Sequence, residues 1–292
     1  MTSRRVGAIF LPDHPPEQLR EFVLTAEHAG VDEIWLWEDC FQEGAFASAA
    51  AALAWTERLR IGIGISPMPL RNVALTAMEI ASVERMFPGR LIPGVGHGVL
   101  SWMGQVGARV ASPLTLMREY VPALRTLLAG ETVTTAGRYV QLNDVRLDWP
   151  PTVPPRVFAA AEGPKTLALS GEVAEGTVLT GGTTTAQVVA ARELIARGRA
   201  AAQRDPADHE VVVYVAVAFG RDAPARAAAQ LEAWGMPGEI DRILVGDPGQ
   251  VAAGVAEYHA AGADAVILQP LHTDADHAAF LGGVAEVARL TT

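Results

Sequence analysis

Three things are scarce in this 292-residue chain. It has one cysteine, Cys40, so no disulfide can form within the chain and no cysteine cluster can hold a metal. No metal site is expected, and a reducing, cytoplasmic setting is. It has one lysine, Lys165, so the basic residues are almost all arginine, and acids outnumber bases 33 to 23. The resulting net charge of −10 disfavours nucleic acid and anionic membranes as partners. Long hydrophobic runs are missing too. The first apolar run is cut short by Pro12, Asp13 and His14, which excludes a secretory signal of ordinary form, and no run is long enough to span a bilayer.

What is abundant is apolar sequence in short, evenly spaced pieces. Apolar runs at 6–11, 32–37, 59–65, 90–95, 157–161, 177–179, 210–219 and 263–269 read as strands. Each is followed by a segment with helical periodicity, such as Leu19, Phe22, Val23 and Ala26 before Gly30. Strands that are apolar throughout, not alternating, imply parallel pairing buried on both faces. Eight such units predict an α/β fold, a (β/α)₈ barrel forming one domain over residues 1–292. The rival is an open doubly wound sheet; against it, no Gly-x-Gly-x-x-Gly follows the first strand. Residues 100–111 and a hairpin-like excursion at 131–149 read as insertions after strand four.

In a barrel the chemistry sits at the carboxyl ends of the strands. Those ends hold Asp13 and His14, Trp37 to Cys40, Gly64 and Ile65, Gly96 and His97, Ala161 to Gly163, Thr180 to Gly182, and Gln269 with His272. Residues 157–182 are the most telling stretch: strand, tight turn, helix, strand, glycine pair. Backbone N–H groups at Ala161, Glu162 and Gly163 and at Thr180, Gly181 and Gly182 could face an anion such as a phosphate. The turn glycines could equally serve only to end the strands.

Four motifs, IWLWEDCF (34–41), RLRIGIGISPMPLRN (58–72), FPGRLIPGVGHG (87–98) and AAAEGPKTLALSGEVAEGTVL (159–179), occur in this order and spacing. Through them the chain resembles the bacterial luciferase-like barrel superfamily, and within it the branch using the deazaflavin coenzyme F-420. The resemblance implies hydride transfer between coenzyme F-420 and a small organic substrate, with reduction of a C=C or C=N bond the leading reaction. It implies a non-proline cis peptide at Gly64–Ile65 backing the cofactor ring, with Gly96 and His97 beside it. It implies that the phosphate-facing turns hold the cofactor's phosphodiester. Asp39 and Cys40 stand where the family usually has an acid followed by histidine. Asp39 is therefore a catalytic and cofactor-binding candidate, and Cys40 a departure, because a thiol does not replace imidazole at neutral pH. His97 is the second proton-transfer candidate, and Asp13 and Trp102 are candidates for substrate contact. An FMN-dependent monooxygenase of the same superfamily and a non-catalytic flavin-binding barrel are the alternatives. The small-residue helix at 45–54 suggests a homodimer.

Overall fold

The computed structural model describes residues 4–274 and 276–291. Their elements run β1 (Arg5–Ile9), α1 (Leu19–Ala29), β2 (Glu33–Leu36), α2 (Ala45–Trp55), β3 (Arg60–Pro67), α3 (Val73–Met86), β4 (Leu91–Gly96), α4 (Leu100–Gln105) and α5 (Pro113–Leu128). There follow β5 (Val133–Ala136), β6 (Gln141–Val145), β7 (Phe158–Ala160), α6 (Pro164–Val173), β8 (Gly176–Leu179), α7 (Thr185–Ala201) and β9 (Glu210–Phe219). The last elements are α8 (Ala223–Ala233), β10 (Ile243–Gly246), α9 (Pro248–Ala260), β11 (Ala265–Pro270) and α10 (His277–Thr291).

Parallel ladders join β1, β2, β3, β4, β7, β8, β9 and β11 in that order, and β11 returns to β1. The barrel closes on the eight strands expected. Both insertions lie between β4 and β7: α4, and the antiparallel hairpin β5–β6. The Glu119 carboxylate on α5 pins that hairpin by accepting the N–H groups of Arg138, Tyr139 and Val140 across its turn. No described helix is long and apolar enough to cross a membrane.

One strand went unread. β10 pairs with Ala216–Phe219, on the edge of β9 whose lower part, Glu210–Val213, carries β8. It is four residues long and mostly half-buried, so it lacks the continuous apolar run that marks the others.

The barrel interior is built from aromatic rings opposite glycines. Trp35, Phe158 and Tyr214 fill it, with Ile9, Ile92 and Ile267 around them. A Cβ on Gly62 would lie 2.2 Å from the Trp35 ring, and one on Gly176 2.2 Å from Phe158. At the floor, the first residues of β1, β2, β3 and β9 form a ladder of alternating charge. Arg60 pairs with Glu33 at 2.6 Å, Glu33 with Arg5 at 3.4 Å, and Arg5 with Glu210 at 2.6 Å. Arg156 extends it, 3.2 Å from Glu210.

Candidate active site

The carboxyl ends of the strands enclose a cavity of about 450 Å³. Asp39, Gly64, Ile65, His97, Trp102, Ala161, Glu162, Thr180 and Gly181 line it. These candidates, scattered over more than 140 positions of sequence, are thus brought together. A second cavity of about 370 Å³ shares Ala161, Glu162, Thr180 and Gly181 with the first. It runs outward past Gly182, Pro164, Leu167, Leu194 and Arg242. The two form one trough, from the barrel mouth to the groove between α6 and α7. A larger hollow of about 700 Å³ lies at the opposite end, lined by Arg5, Arg60, Arg156 and Glu210. Those charges are already paired with one another or with Glu33, so the hollow belongs to the floor ladder and not to the chemistry.

Five candidates stand outside the mouth lining, of which Gly182 lines the outer cavity. Gly96 is buried beneath Ile65, where a Cβ would come within 2.9 Å of Cγ1. Gly163 is the N-cap of α6. Cys40 is half-buried behind the lining, its thiol pushed up by desolvation and by the Glu38 and Asp39 carboxylates, so it stays protonated at neutral pH. Asp13 is at the rim, 2.6 Å from His272 Nδ1. It still acts on the site, because its charge adds to the forces on Asp39.

The peptide bond between Gly64 and Ile65 is cis, as is that between Cys40 and Phe41. The β3–β4 register jumps between Ile63 and Ser66, a bulge at the cavity edge. Glu38 N–H donates to Ile65 O at 3.3 Å, and the Tyr214 hydroxyl donates to Gly64 O at 3.1 Å. A Cβ on Gly64 would sit 1.7 Å from the Tyr214 hydroxyl oxygen and 2.9 Å from Trp35 Cε3. The space is taken by the protein's own tyrosine, so no ligand is needed to explain the residue.

Desolvation raises the Asp39 carboxyl above the usual carboxylate range, and the Asp13 charge adds to this; Trp37 and His272 work against it. The Trp37 indole N–H is buried and closes no hydrogen bond of ordinary geometry. His97 Nδ1 lies 2.8 Å from Gly98 O. A carbonyl only accepts, so Nδ1 carries a proton, which leaves Nε2 the acceptor in the neutral ring.

The far end of the trough is an uncapped helix start. No side chain caps α6, whereas α7 and α9 each close theirs with a capping box. The first-turn amides of α6 therefore remain available to an anion. Lys165 is exposed on that turn and lines neither cavity. Arg242, which pairs with Glu239 and donates to Gly182 O, supplies the cationic side chain instead.

Sequence reading missed Arg242 and Tyr214. Nothing local marks Arg242, 60 residues beyond Gly182. Tyr214 carried a signal: it is the one side chain with a polar atom inside the run VVVYVAVAF. Trp37, Glu38 and Gln269 were placed at the mouth but given no role, and all three line it.

The family model described as luciferase-like monooxygenase matches residues 2–240. The chain belongs to this family. Among its relatives is a 5,10-methylenetetrahydromethanopterin reductase of Methanolobus tindarius, 30% identical over 240 residues, 82% of this chain and 73% of that protein. An F-420-dependent glucose-6-phosphate dehydrogenase of Beutenbergia cavernae is 30% identical over 243 residues, 75% of this chain and 69% of that one. The solved structure of an F-420-dependent secondary alcohol dehydrogenase superposes with a TM-score of 0.87, covering 99% of both chains at 20% identity, which shows a shared fold. The trough joins a concave mouth to an uncapped helix start with an arginine beside it, a shape and donor set that suit a flat ring bearing an anionic tail.

Proposed function

We propose that this protein is an F-420-dependent oxidoreductase that reduces a C=C or C=N bond of a small organic substrate. The observation that carries the reading is the single trough running from the Gly64–Ile65 bulge to the uncapped start of α6, in a chain whose relatives are named for coenzyme F-420. Gly64 and Ile65 would back the ring. The α6 amides, Gly181, Gly182 and Arg242 would hold the phosphodiester and tail. When bound, the deazaflavin supplies hydride.

The remaining chemistry belongs to the chain. Reducing C=C or C=N consumes one proton as well as a hydride. Asp39 is its source: a half-buried carboxyl held protonated to higher pH than usual can donate at the cavity wall. His97 Nε2, an acceptor at the same wall, would take up the proton when the reaction runs in reverse. Trp102, Trp37 and Tyr214 exclude bulk solvent around them. Outside the barrel, Trp55 on α2 and Leu75 and Met78 on α3 leave apolar side chains 37%, 46% and 56% exposed. A homodimer through these helices would cover them, and light scattering at a monomer mass would rule it out. The unpaired Cys40 suits a reducing cytoplasm.

Titrating the purified protein with F-420, followed by the cofactor's own fluorescence, should give saturable binding. Tight FMN binding with no F-420 binding overturns the reading. Against a panel of cyclic enones and imines, Asp39→Asn should lower turnover roughly 10²-fold while F-420 affinity moves little. Unchanged turnover removes Asp39 from the proton path. F-420 binding with no turnover on any substrate would leave a passive barrel.

A further inference from the structure

We infer that the substrate brings no anionic group into the barrel mouth: it is an uncharged or cationic organic molecule with an apolar body. The inference rests on the reading above only in taking the mouth as the substrate's end of the trough.

The first observation is the charge of the lining. Three acidic side chains, Glu38, Asp39 and Glu162, line the mouth cavity, Asp39 being the proton donor proposed above, and no lysine or arginine does. The nearby cations are committed elsewhere. Arg71 sits behind Glu38, bonded to it at 2.7 Å and to Glu79 at 3.1 Å, and opens on a different cavity. Arg242 belongs to the outer half of the trough and is engaged with Glu239 and Gly182 O. His272 is bonded to the Asp13 carboxylate. His97 has spent its Nδ1 proton on Gly98 O. An anion entering here would meet acidic groups and no unpaired lysine or arginine to offset them.

The second observation is the wall. The fold leaves Val99 45% and Leu100 41% exposed at the start of α4, beside Trp102, and all three line the cavity with Trp37, Ile65 and Tyr214. Large apolar side chains held open around a concavity are a surface for an apolar ligand. The aromatic faces tolerate a cation as well.

The contrast with a named relative is direct. A glucose-6-phosphate dehydrogenase must bind a phosphate dianion, which calls for lysine or arginine donors. At 30% identity this chain keeps the fold and the trough, but its mouth has none of those donors among the lining residues.

The test uses three cyclohexenones identical except for the group on the ring carbon opposite the carbonyl: hydrogen, carboxylate or ammonium. Glucose 6-phosphate is the fourth ligand. Binding is measured by equilibrium dialysis, on the protein without cofactor and again with saturating F-420. The neutral and ammonium forms should bind at least about tenfold more tightly than the carboxylate, a gap of about 1.4 kcal/mol. Glucose 6-phosphate should show no saturable binding. Leu100→Arg should shift the ratio of carboxylate to neutral-ligand affinity about tenfold toward the carboxylate, the signature of an added counter-charge in place of apolar wall. The proposal fails if the carboxylate or glucose 6-phosphate binds the unaltered protein as tightly as the neutral ligand. It also fails if none of the cyclohexenones binds. Because the ranking is read first without cofactor, a failure of F-420 to bind overturns the proposed function and leaves the charge preference to stand or fall by itself.

Discussion

The two ends of the barrel spend their charged residues in opposite ways. At the floor, Arg60, Glu33, Arg5, Glu210 and Arg156 neutralise one another in sequence, and Glu33 at the centre is fully buried. At the mouth, Asp39 is half-buried with a raised proton affinity and no arginine or lysine lines the cavity beside it, and the start of α6 has no side-chain cap. The floor pairs its charges with one another within the chain, and the mouth does not. The larger cavity is at the floor, so size alone would have misplaced the site. Charge pairing distinguishes the two ends better than volume does.

The sharpest way to test this division is to break the floor. Glu33→Ala leaves Arg60 without its carboxylate and Arg5 with Glu210 alone, and should cost about 3 kcal/mol in urea unfolding. If the ends are independent, F-420 affinity of the folded fraction stays within twofold; a large loss of affinity would show them coupled. Next in size is the layer between the ends. Gly64→Ala drives a methyl into the Tyr214 hydroxyl and should destabilise by about 1–3 kcal/mol. Adding Tyr214→Phe removes the obstructing oxygen. The double variant should then recover part of that loss, and simple additivity would mean the clash had been relieved some other way.

A third test uses pH. Burial, with four arginines nearby, holds His209 neutral down to about 3. It hydrogen-bonds Thr177 at 2.8 Å near the floor. The unfolded imidazole takes its proton near 6.5 and the folded one does not, so stability falls as pH drops from about 6.5 toward 3. His209→Gln should flatten that slope by up to one proton, and an unchanged slope would contradict a buried neutral histidine. The smallest effect belongs to the chain's single lysine. Lys165→Ala should shift both stability by less than about 0.5 kcal/mol and F-420 affinity less than a few-fold. A tenfold loss of affinity would return Lys165 to the phosphate site.

The fold was largely legible from the sequence because each barrel strand is apolar on both faces and short, and each is punctuated by glycine or proline. β10 escaped because its partner edge, the upper half of β9, exists only once the barrel has closed. The mouth could be placed by strand order, so Asp39, His97 and Thr180 were found at the right height. Which of them turn inward could not be read so simply. Cys40 is adjacent to Asp39 yet is not among the residues lining the cavity. Tyr214 was hidden as well. In a strand buried on both sides, the alternation that separates inside from outside carries no hydrophobic contrast.

The shared edge of β9 has one further result. β8 ends opposite Val213 and β10 begins opposite Ala216, so Tyr214 and Val215 have no ladder partner on that side. At about 3.3 Å per residue the break is several ångströms tall. The wall is there passed from β8 to β10 along a single edge of β9, closed at the gap by the buried side chains of Tyr214 and Val215. The mouth cavity and the outer cavity share their lining just where β8 gives way, at Thr180 and Gly181.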